Sequence, residues 1–77
     1  MPVLVIEEMK LEIPGLGKNK RLTDLSQKRI TKAVREKLRL AYGHKCVACS
    51  CRADVVSGTW KGRCWIDGQE HAFRIEE

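Results

Sequence analysis

No apolar run in this chain approaches the roughly 18 residues that a membrane-spanning helix needs. The opening MPVLVIEE holds only four apolar residues in succession and has no basic leader, so it does not read as a signal peptide. A cytoplasmic protein is the resulting expectation (the host cytoplasm if the chain is viral), with thiols reduced or metal-bound rather than paired as disulfides. Aromatics are scarce: two Trp, one Tyr and one Phe. That shortage argues against the platform of two or three stacked rings on which single-strand readers hold bases. Internal repeats and low-complexity tracts are missing too. So is the full spacing of a phosphate loop: Gly15, Gly17 and Lys18 are not followed by Ser or Thr at a helix start. Seventy-seven residues, 43% hydrophobic and 32% charged, suit one globular domain with a thin core rather than a disordered chain.

Pro and Gly are also missing from Thr23 to Tyr42, TDLSQKRITKAVREKLRLAY, and here the absence is informative. At 100° per residue, Ile30, Val34, Leu38 and Ala41 share one face, and Lys28, Lys32, Arg35 and Arg39 share the opposite one. Asp24 and Gln27 have capping-box spacing, with Thr23 as the alternative cap, and Gly43 is the expected stop. A helix over 24–42 is predicted. Its six cations face only two acids, Asp24 and Glu36, so the row is poorly compensated. The plain alternative is a solvated helix face. Lys37 falls near the apolar side, where it either snorkels outward or meets a partner.

Residues 3–13 read as a strand: Met9, Leu11 and Ile13 alternate with Glu8, Lys10 and Glu12. Its first half, Val3 to Ile6, is apolar on both faces. Either this end is tucked under another element or Leu4 and Ile6 form a homodimer or partner contact. Pro14-Gly15 ends the strand, and 14–22 is expected to be a mobile basic loop carrying Lys18, Lys20 and Arg21.

Residues 44–76 read as a three-stranded antiparallel meander. Asp67-Gly68 signals a two-residue type I′ turn that sets Ile66 opposite Gln69, Cys64 opposite His71, Gly62 opposite Phe73 and Trp60 opposite Ile75. Ser57-Gly58 offers a second two-residue turn, with Val55 opposite Trp60, Ala53 opposite Gly62 and Cys51 opposite Cys64. Val47, Cys49, Cys51, Ala53, Val55, Trp60, Gly62, Cys64, Ile66, His71, Phe73 and Ile75 would then face the helix. Gly62 would lie beneath the Phe73 ring. The other face would carry Arg52 opposite Arg63, with Trp65 among cations: a second surface able to hold phosphates or stack a base, or else a solvated sheet face.

The cysteines are spaced Cys46-x2-Cys49-x-Cys51-x12-Cys64. Cys-x2-Cys is the seed of a zinc site, but no second such pair follows, and strand alternation scatters the sulfurs. The expectation is buried core thiols and no cofactor. If zinc binds, Cys49, Cys51 and Cys64 with His71 or Cys46 would hold it, and a Cys51–Cys64 disulfide is the third reading. Cys64 and His71 lack a cleft and an orienting carboxylate, so no enzyme is expected.

The sequence thus points to an α+β single domain, β-α-β-β-β, with an antiparallel sheet packed on one amphipathic helix. The net charge of +5 favours polyanionic partners, nucleic acid foremost, and no membrane. The contact residues would be Lys18, Lys20, Arg21, Lys28, Lys32, Arg35 and Arg39, with Arg52, Arg63 and Trp65 as the second surface. The alternative is a protein-binding inhibitor or regulator of phage or mobile-element type, blocking a host nuclease or defence complex and bound to an acidic or nucleic-acid-binding protein.

Overall fold

The computed structural model describes residues 1–43 and 46–77, with backbone register alone for 46–49. The elements are β1 (Val3–Ile6), β2 (Met9–Glu12), a 3-10 turn (Leu22–Asp24), α1 (Gln27–Tyr42), β3 (Cys46–Asp54), β4 (Thr59–Ile66) and β5 (Gln69–Glu76). All strands join one antiparallel sheet in the order β2-β1-β5-β4-β3. One helix on one antiparallel sheet is the fold class the residue pattern implies.

The expected single strand 3–13 is instead a hairpin, Val3 pairing with Glu12 and Ile6 with Met9. The chain reverses at Glu7, whose φ of 54° is left-handed. A non-glycine residue there gives no turn signature, which is why the reversal was hidden. β1 then adds beside β5, Leu4 opposite Ile75 and Ile6 opposite Phe73. Leu4 and Ile6 are completely buried in the chain's own core, so they are not the dimer contact that was one expectation.

The helix starts three residues later than predicted. Asp24 belongs to the 3-10 turn, and Ser26 is the cap, its side chain accepting from the Arg29 N–H at 3.2 Å. Gly43 ends the helix as expected, with φ 68° and its N–H donating to the Arg39 carbonyl at 2.8 Å. Ile30, Val34 and Leu38 are fully buried, but Ala41, expected beside them, is exposed. The loop ahead of the helix is not free either. Leu16 and Leu22 are buried, and Trp60 Nε1 donates to the Leu22 carbonyl at 2.7 Å, a buried bond that ties the loop to β4.

The β4–β5 register is the one that Asp67-Gly68 implies, with φ of 51° and 78° at the turn. The β3–β4 register is not. Asp54 pairs with Thr59, Ala53 with Trp60 and Cys51 with Gly62, leaving 55–58 as a four-residue turn. Asp54 organises that turn: its Oδ1 accepts from the N–H groups of Val56 (3.1 Å) and Ser57 (3.3 Å), and the Gly58 N–H donates to its carbonyl. Val55 therefore lies exposed in the turn rather than facing the helix. Arg52 sits opposite Lys61 and Arg63 opposite Ser50, so the two arginines do not face each other. A bulge between Ala48 and Ser50 then shifts the register again. The expected inward placement of Val47 and Cys49 falls outside the described side chains.

The core lies between α1 and the sheet. Ile30, Val34, Leu38 and the loop leucines meet Leu4, Ile6, Trp60, Cys64, Phe73 and Ile75. Gly62 has no room for a side chain: a Cβ there would come 2.3 Å from the Ser50 carbonyl oxygen and 2.7 Å from Phe73 Cζ.

Candidate functional site

The helix is pinned by its apolar stripe, so its opposite crest must face outward. Lys28, Lys32, Arg35 and Arg39 are all exposed along that crest. At 1.5 Å per residue the row runs about 16 Å. Lys28, Lys32 and Arg35 border one shallow depression together with Thr31 and Glu36. Lys37, near the apolar edge, is half-buried, as a snorkelling side chain would be.

The loop adds a second bank of charge. Lys18 and Lys20 line an open cleft whose far wall is the first turn of α1, including Ser26 and Arg29. Arg29 is not among the contact residues that the helical row implies; it lies about 100° around the helix from Lys28. Only the folded loop makes it a neighbour of Lys18 and Lys20. Arg21 is tied loosely to Asp24 at 3.9 Å, the sole ion pair of segment 14–43 among the described residues.

The sheet's outer face is a different surface on the opposite side of the molecule, so the candidate residues divide into two sets. Its register stacks Lys10, Val5, Arg74, Lys61 and Arg52 in one row across all five strands. Two of that row's four cations, Arg74 and Lys61, are matched with acids, as is Arg63 two residues along β4. Arg74 Nε meets Glu76 at 3.0 Å, Lys61 Nζ meets Asp54 at 3.6 Å, and Arg63 meets Glu70 at 3.1 Å. Hydrogen bonds from Ser57 foremost, then Val56, with the Lys61 charge, hold the Asp54 carboxyl below the usual aspartate range. Trp65 is exposed on this face, 40% accessible, opposite Glu70 on β5.

The cysteines do not form the row that a zinc site or the Cys51–Cys64 bridge would use. Cys51 is opposite Gly62, and Cys64 is opposite Ala48 and His71. Cys51 and Cys64 are both buried. The Cys51 sulfur lies 3.4 Å from Thr31 Oγ1, and Gln27 Nε2 donates to the Cys51 carbonyl at 2.9 Å. His71 is half-buried, and its Nδ1 contacts a Glu7 carboxylate oxygen. Among the described residues no three His, Cys, Asp or Glu side chains converge as metal ligands. The side chains of Cys46 and Cys49, and all of His44, lie outside the described residues. No helix among them is long and apolar enough to cross a membrane.

Comparison of the chain with models of protein families, with curated proteins and with solved structures gives no match.

Proposed function

We propose that this chain is a non-catalytic binding protein that takes up a polyanion, foremost nucleic acid, on the crest of α1 and the adjoining loop. The observation that carries this is the uneven division of charge. Residues 14–43 hold nine Lys and Arg against two acids, whereas the rest of the chain holds six against eight. A net charge of seven on one segment, with a single weak internal ion pair, is costly in self-repulsion unless an anion relieves it. The sheet face, where ion pairs already satisfy most cations, is the weaker candidate.

The test is a four-fold substitution, Lys28→Gln, Lys32→Gln, Arg35→Gln and Arg39→Gln. All four side chains are exposed and Gln is a good helix former, so circular dichroism should be unchanged. Affinity for mixed-sequence nucleic acid should drop by orders of magnitude. The log–log dependence of affinity on salt should flatten by about three to four units on duplex. Wild-type protein that binds no nucleic acid at low salt would overturn the reading. An acidic protein partner retained after nuclease treatment would then be the ligand of the same cations, with the substitutions slowing association most.

A further inference from the structure

We infer that the form of nucleic acid this surface takes is duplex B-form DNA, entered by α1 through the major groove; this rests on the reading just proposed. Three observations favour it over a single strand or an RNA duplex.

The first is where the aromatics lie. Binding a single strand needs rings beside the cations, because unstacked bases must be covered. Trp60 and Phe73 are buried in the core, and Trp65 is on the far side of the sheet beside a neutralised Arg63. Tyr42 is half-buried at the end of the helix. The crest and loop therefore present charge with no exposed ring among it, and such a surface suits a ligand whose bases are already stacked on each other.

The second is shape. The crest is the exposed back of a helix, about 10–12 Å across with its side chains, matching the roughly 12 Å width of the B-DNA major groove. The deep, narrow major groove of A-form RNA does not admit it.

The third is that the charge comes in two banks. Lys28, Lys32, Arg35 and Arg39 run along the crest, while Lys18, Lys20 and Arg29 line, with one acid, Asp24, the cleft at the helix start. A helix lying in a groove has phosphate walls on its flanks as well as base edges beneath it. The crest would reach the groove floor and its nearer phosphates, and the loop bank would reach the phosphates of one wall. Arg35 and Arg39 are the residues able to make paired contacts to guanine O6 and N7, whereas Lys18, Lys20 and Lys28 meet phosphates as point charges.

The experiment measures binding of the wild-type chain, by fluorescence anisotropy at fixed salt, to a mixed-sequence DNA duplex, its separated strands and the matching RNA duplex. We expect the DNA duplex to bind at least about tenfold more tightly than either competitor. Methyl green, which occupies the major groove, should displace the protein, whereas netropsin in the minor groove should not. Lys18→Gln with Lys20→Gln should flatten the duplex salt dependence by about two units without altering circular dichroism. Equal or tighter binding to the separated strands or to RNA overturns the inference while leaving the proposed function standing, as does displacement by netropsin alone. Failure to bind any of the three overturns both.

Discussion

Gly62 sits where a methyl group has nowhere to go. The Phe73 ring could swing aside, but the Ser50 carbonyl belongs to the paired strand and cannot. Gly62→Ala should therefore destabilise the fold by about 1–3 kcal/mol, the range for overpacking. A urea titration should show a lower midpoint with an unchanged slope. This site was legible in the sequence, because a glycine inside an otherwise β-rich strand asks for a close neighbour and the turn at Asp67-Gly68 named Phe73 as that neighbour. Asp54 was not legible in the same way. Its importance lies in two backbone N–H groups of a turn whose length the sequence did not reveal. A carboxyl held below its ordinary range adds stability that is fully present above the unfolded pKa of about 3.9 and is lost as pH falls through the lower folded value. Asp54→Asn should remove that contribution. Stability measured from neutral pH down to about pH 2 should fall less steeply in the variant than in the wild type. Parallel acid limbs would show that Asp54 does not gain from its turn.

Among the elements, α1 depends most on its buried stripe. Val34 is fully enclosed, so Val34→Asp places a carboxylate where nothing can pair with it, and the domain should unfold. A native circular dichroism spectrum and melting temperature in that variant would mean the helix is rotated away from the sheet. The stripe was readable because a 3.6-residue period is specific over four turns. The cap was misplaced because Thr23, Asp24 and Ser26 all carry capping oxygens, and only the 3-10 turn at Leu22–Asp24, pulled down by buried Leu22, leaves Ser26 as the last extended residue. The β3–β4 register illustrates a different blindness. Strand alternation has a period of two, so sliding one strand by two residues leaves Cys51 and Ala53 on the same face. The hydrophobic pattern is satisfied either way, and the choice falls to the turn. There the Asp54 carboxylate outweighs the Ser57-Gly58 pair. The reversal at Glu7 left no trace for a related reason: Val3 to Ile6 and Met9 to Ile13 are each acceptable strand sequence, and the residue at positive φ is neither Gly nor Asn.

At the scale of the whole molecule, the two layers divide the charge between them: a cationic helix and loop on one side, a nearly balanced sheet on the other. The charge composition was visible in the sequence, but its separation onto opposite sides required knowing that α1 covers only one sheet face. The sheet's two free edges are also managed. β2 is only four residues long with Lys10 and Glu12 pointing out, and β3 is bulged, with the Cys51 carbonyl already taken by Gln27. Finally, the placement of the two tryptophans makes the chain its own optical reporter. Trp60, buried in the core with its indole N–H donating to the Leu22 carbonyl, should emit at short wavelength and be shielded from iodide. Trp65, on the far sheet face, should emit at longer wavelength and be quenched. A polyanion seated on α1 should leave the iodide-sensitive fraction of the emission unchanged. One that seats on the sheet should extinguish or protect it, so a single cuvette distinguishes the two sides of the molecule without a label.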